Sequence, residues 1–182
     1  NLNEYGVPQT RKRFSLVATR VDEKYIEPSK LSSTPTVRDF LGIDNGFHEV
    51  MAGHKDNSSF RHTVAGLSED NLETLKRTPE NGGNSVKIRK HFKGHGFRDS
   101  YSRMSWDKPA PTITTKFFSI SNGRFAHPVE NRAISLREGA TLQTFRKDYI
   151  FYTKSIESTA RMIGNAVPPI FAENIGKAIL EA

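Results

Sequence analysis

Three stretches of this chain carry groups that could hold a charged or planar ligand. Gln9, Arg11 and Arg13 alternate just ahead of an apolar, β-branched run, Phe14 to Thr19. In an extended chain alternate residues share a face, so one amide and two guanidinium groups would stand side by side. Guanidinium suits phosphate and the acceptor edge of a base; the plainer alternative is a solvated strand entrance. The second stretch, Val86 to Arg103, holds Lys87, Arg89, Lys90, Lys93, Arg98 and Arg103 against Asp99 alone, with Phe92, Phe97 and Tyr101 interleaved. It reads as a loop contacting phosphates, or else as a solvated basic loop. The third is the short junction Arg161 to Pro169. Gly164 stands where a helix end calls for a left-handed residue. Pro168 and Pro169 suit the first turn of a second helix. Val167 has no side-chain oxygen to cap that helix, so a ligand or another part of a protein must approach its free N–H groups.

The elements that would position these groups are legible in outline. Phe14 to Thr19 reads as a strand buried on at least one face. Residues 21 to 35 form a linker, and Thr34 reads as the cap of a short helix through Val37 and Leu41. A helix capped by Ser68 carries Leu72 and Leu75 inward and ends before Pro79. Thr112 to Thr115 reads as a short strand. Ser135 and Glu138 form a capping box for a helix running to about Phe145. Ser155 to Ile163 is a further helix, and Phe171, Ile175, Ala178 and Ile179 line one face of the last.

The 182 residues allow one or two domains, with 35% hydrophobic residues and a mean hydropathy of −0.59, which together imply a thin core. A net charge of +7 suits a polyanionic partner such as nucleic acid. No apolar run reaches the roughly 18 residues of a membrane helix, and no signal peptide is evident. Cysteine is absent, which excludes disulfides, Cys-ligated zinc and a cysteine nucleophile within this chain and fits a cytoplasmic location. His91 and His95 lie four apart, but Gly94 weakens any helix that would align them, so no metal site is expected. The first residue is Asn, as in a processed chain or a piece of a longer one.

Tyr5 to Arg13, Arg132 to Phe145 and Gly164 to Pro169 resemble, in that order, three sequence blocks of the DNA (cytosine-5) methyltransferases. They are the Gln-x-Arg-x-Arg block, the block supporting the recognition domain, and the closing Gly-Asn-Ala-Val-Pro-Pro. The resemblance implies the C-terminal half of such an enzyme: an α/β fold in which residues 1–25 and 150–182 are partial segments of the catalytic domain. These would flank a smaller mixed α+β target-recognition domain over residues 26–149. It implies that Arg11 and Arg13, with Gln9, hold a flipped cytosine and its backbone. Thr112, followed by Ile113, would lie near that nucleotide, with Thr114 and Thr115 as alternatives. Asn165, Ala166 and Val167 would line the S-adenosylmethionine pocket, most of which belongs to the absent half. Phe92 to Phe97 imitates the family's cofactor loop, but no apolar strand precedes it and it follows rather than precedes the arginine block. Three departures stand out: Gly139 where Ala is usual, Arg146-Lys147 where Pro-Asp is usual, and Met162 for Gln.

Methyl transfer to cytosine C5 needs a thiolate, which this chain lacks. The resemblance therefore implies a recognition and clamping part of a methyltransferase, inactive alone, with duplex DNA as one partner. The other partner would be the nucleophile-bearing half, or a second copy covering the apolar terminal segments. The alternatives are a stand-alone sequence-specific DNA-binding module and an RNA methyltransferase of similar sequence.

Overall fold

In the computed structural model, residues 1–18, 20, 26–85, 99–153 and 155–181 are described. Helix α1, Glu69–Lys76, starts where Ser68 Oγ accepts the Asn71 N–H. Helix α2, Leu136–Leu142, starts at the reciprocal Ser135–Glu138 capping box and is buried on every side. Helix α3, Ile156–Asn165, is capped by Ser155. Helix α4, Pro169–Leu180, has proline in its first turn, where an absent N–H costs nothing.

The sheet is small. Strand β1, Gln9–Thr10, pairs in parallel with β2, Ala110–Pro111, in the register Gln9 to Ala110 and Thr10 to Pro111. Helix α2 packs on α3. One core joins Val37, Leu41, Phe47, Met104, Ile113 and Phe117 to Leu136 and Leu142, and takes in Phe151, Ala160 and Ile163 from the last third. A continuous apolar core thus crosses the boundary expected near residue 150. A separate cluster of Leu2, Val7 and Phe171, flanked by Tyr5 and Ile175, brings the two ends of the chain together. Among the described residues no helix is long and apolar enough to cross a membrane.

Three expected elements differ. Residues 12–18 form no strand, and Phe14 and Leu16 are 90% and 78% exposed. A β-prone run becomes a strand only beside a neighbour that takes its N–H and C=O groups, and the ladder stops at Thr10. The helix expected after Thr34 is one turn. Thr36 donates from its N–H and its hydroxyl to Asp39 Oδ2, and Gly42 at φ +93° ends the turn. The strand expected at Thr112–Thr115 lies two residues earlier, since Ala110 and Pro111 are the residues in register with β1.

The thin core is supplemented by buried arginines. Arg103, Arg132 and Arg137 are among the largest fully buried side chains, and each is satisfied by hydrogen bonds, as a buried charge requires. Gly139 explains its departure from Ala. A Cβ there would lie 2.2 Å from the ring of the buried Phe117.

Candidate functional site

The β1–β2 pairing places Gln9 beside the turn that follows β2, and three side chains then bind three segments together. Gln9 Oε1 accepts the Ile113 N–H at 2.9 Å. Gln9 Nε2 donates to Leu142 O at 2.9 Å and to Gln143 Oε1 at 2.8 Å. Gln143 Nε2 donates to Ile163 O at 2.6 Å and to Ala166 O at 3.4 Å. The Arg11 guanidinium spans two carbonyls, Ile113 O and Gly164 O, each at 2.9 Å. Gln9, Arg11 and Gln143 are all buried. Burial, and then the charge of Arg13, lowers the Arg11 pKa from its ordinary value.

This corrects the expected open face. Gln9 and Arg11 do share a side, but it is the inner one, because the backbone acceptors in reach lie inside the fold. Only Arg13 of the three is turned outward. Its Nη1 donates to the neighbouring Lys12 O at 2.7 Å, and it borders a cavity of about 380 Å³ lined also by Leu2, Tyr5, Leu16, Phe171 and Ile175.

The α3–α4 junction is also built differently from the expectation. Gly164 lies within α3 and has no positive φ. Its lack of a side chain serves a close approach instead: a Cβ would stand 2.4 Å from the Thr114 carbonyl carbon and 2.5 Å from Thr115 N. One free N–H at the start of α4 finds its partner within the chain, since Ile170 N–H donates to Thr144 Oγ1 at 3.2 Å. Thr144 holds φ +66°, an uncommon conformation for a β-branched residue. Asn165 and Val167 are exposed, and Ala166 is partly so.

Of the expected DNA contacts, Lys87, Arg89, Lys90, Lys93 and Arg98 lie outside the described residues. Arg103 is not a surface cation. It is 2% exposed and donates to Thr78 O, His127 O, Glu130 O, Leu75 O and Asn131 Oδ1. Alternation along the chain could not reveal that Arg103 turns inward. Thr112 is partly exposed, but its hydroxyl donates to Thr10 O at 2.6 Å and reinforces the ladder. Thr114 beside it is exposed.

The model of the C-5 cytosine-specific DNA methylases matches residues 1–181. The chain belongs to that family. The methylase M.HgiDII of Herpetosiphon aurantiacus is 36% identical over 190 residues, covering 97% of this chain and 52% of its own length. The methyltransferase M.AquIB of Picosynechococcus is 30% identical over 130 residues, covering 66% of this chain but 86% of its own length. A solved E. coli prophage protein assigned as a DNA modification methyltransferase superposes with a TM-score of 0.63 at 19% identity. That match covers 98% of this chain and 57% of the other, and shows a shared fold. The chain spans about half the length of most of these curated relatives.

The chain also carries a buried ionic group. Arg132 donates to both Glu138 oxygens at 2.7 and 2.8 Å and also binds Glu130. Burial alone would raise the Glu138 pKa, but Arg132 outweighs it and the carboxyl falls to about 2. Burial drives His127 down to about 4, against the pull of Glu138. Its Nε2 lies 3.2 Å from Glu130 Oε1, and with the imidazole neutral near neutral pH this contact is not an ion pair. His62 Nδ1 lies 2.8 Å from Ser135 Oγ, but that oxygen is buried and already accepts the Glu138 N–H, so the pair caps a helix. Gln143 and Thr144 are the residues that sequence reasoning left without a role. Gln143 lay in plain view inside a family block, but its partners are 20 to 134 positions away.

Proposed function

We propose that this chain is the DNA-recognising and base-holding part of a DNA (cytosine-5) methyltransferase acting on a specific duplex sequence, as in type II restriction–modification. Residues 1–25 and 150–182 belong in this reading to the α/β catalytic domain, and 26–149 to the recognition domain. One observation carries the reading best: the three blocks that resemble the family meet at one place, through Gln9, Arg11 and Gln143.

The division of labour follows from exposure. Arg13, free to turn outward, contacts the target cytosine or its backbone, while Gln9 and Arg11 hold the turn carrying Thr112 to Thr115. Lys87, Arg89, Lys90, Lys93 and Arg98 supply phosphate contacts. Asn165, Ala166 and Val167 form one wall of the cofactor site. An exposed amide beside an exposed valine suits the polar edge and flat face of an adenine-bearing ligand, but makes one wall only. S-adenosylmethionine, when bound, supplies the electrophilic methyl group. The thiolate that adds to cytosine comes from another polypeptide segment, because this chain has no cysteine. Alone, the chain binds DNA and does not methylate it. M.AquIB, matched over most of its own length, supports the idea that such a part can exist as a separate chain.

The test is to mix this chain with the cysteine-bearing half of a relative and follow methyl transfer to duplex DNA. Transfer only in the mixture supports the reading. DNA binding without transfer in any mixture would favour a stand-alone DNA-binding module.

A further inference from the structure

We propose that Gln9, Arg11 and Gln143 form a bracket that couples the DNA-facing turn Thr112–Thr115 to the cofactor-facing junction Asn165–Val167. Through it, DNA bound at the first would change the second. The inference rests on the functional reading above for what each segment faces. The three residues touch neither ligand in this scheme and act as positioning residues.

The geometry leaves the two segments little independent freedom. Ile113 is held at both of its backbone groups, its N–H by Gln9 and its carbonyl by Arg11. The same guanidinium holds Gly164 O, one residue before Asn165. Gln143 holds Ile163 O and Ala166 O on either side of it. The Gln9 amide closes the loop onto Gln143 at 2.8 Å. Between these ties the backbones are in direct contact, so close that a Cβ on Gly164 would overlap Thr114 and Thr115.

Moving the turn without moving the junction would break bonds in a sealed interior. A buried polar group left without a partner is costly, so the inexpensive motion is a joint one. Thr114, Asn165 and Val167 are meanwhile exposed, so each segment keeps a ligand-accessible face while its inner side is bound to the other. Two sites joined through one packed, hydrogen-bonded element meet the structural requirement for coupling; the energetic requirement is a measured response at one when the other is filled.

That response can be read in the 182-residue chain itself, from backbone amide resonances during titration with a short cytosine-containing duplex at low salt. In the wild type, DNA should shift the amides of Thr114 to Lys116 and, in proportion, those of Asn165 to Val167. At saturating DNA, Gln143→Met and Arg11→Lys should each lower the shift at 165–167 at least about threefold relative to that at 114–116. Lysine cannot bridge two carbonyls as the planar guanidinium does. Equal relative responses in the variants would show a merely structural role and overturn the coupling. Should neither variant fold, the wild type still decides: shifts at 114–116 with none at 165–167 overturn the proposal. No shift anywhere, at any salt, would sink the DNA-binding reading instead, and the coupling with it.

Discussion

Replacing Gly164 by alanine tests the central packing of the molecule. In an ordinary helix this change is stabilising, by up to about 1 kcal/mol, because alanine loses less backbone entropy. Here the new methyl would stand 2.4 Å from the Thr114 carbonyl carbon and 2.5 Å from both Thr114 O and Thr115 N. Carbon contacts settle near 3.5–4.0 Å, so α3 and the turn must separate by about 1 Å. All three obstructing atoms are backbone, and the turn is held at Ile113 by Gln9 and Arg11, so no side chain can swing away. Overpacking of this kind costs roughly 1–3 kcal/mol. The net expectation for Gly164→Ala is a loss of about 1–2 kcal/mol. Gly176, in α4, has nothing within 4 Å of its would-be Cβ, and Gly176→Ala should gain about 0.5–1 kcal/mol. Urea unfolding of the two variants separates the effects, since a urea slope of about 1–3 kcal/mol per molar turns the difference into roughly 1 M in midpoint. A Gly164→Ala chain as stable as the wild type would refute the close approach of α3 to Thr114–Thr115.

Acid should destabilise the chain in two windows. The folded His127 titrates near 4 against 6.5, so the unfolded state binds the proton first. The stability it contributes is complete above about pH 6.5 and lost toward pH 4, at roughly 1.4 kcal/mol per unit. Glu138, near 2 against 4.5, contributes above about pH 4.5 and loses that contribution as pH falls toward 2. Urea midpoints that stay flat between pH 6.5 and 4 would contradict a buried neutral His127. Arg103→Ala should unfold the chain or cost about 3 kcal/mol, because it leaves several carbonyls without a donor; thermal melting reads this, and a change in DNA affinity alone would show that Arg103 faces solvent. Lys87→Ala, Arg89→Ala and Lys90→Ala together should leave the melting temperature in place and weaken duplex binding, with a shallower salt dependence in filter or fluorescence titrations. In an enzyme reassembled with a cysteine-bearing half, Arg13→Ala should lower methyl transfer by about 10-fold or more at saturating DNA and cofactor, as the loss of a bidentate base contact worth roughly 1–3 kcal/mol would. Unchanged turnover would remove Arg13 from the site.

The sequence by itself determined the local signals and the family blocks. Ser68, the Ser135–Glu138 box, Ser155 and the proline start of α4 each act within four residues of themselves, so their patterns could be read directly. Tertiary structure decided which way the chemistry faces. Arg11 and Arg103 read as cations for a ligand, yet both are turned inward to carbonyls that lie 24 to 153 positions away along the chain. A guanidinium goes where acceptors are densest, and sequence spacing does not reveal where distant carbonyls collect. Gly164 is needed for a neighbour 50 positions earlier, not for its own φ. Phe14 to Val17 has the composition of a strand and stands exposed, because a strand is a property of a pair. Helix caps are settled by covalent neighbours; sheets, close backbone contacts and buried arginines are settled by partners that only folding brings near.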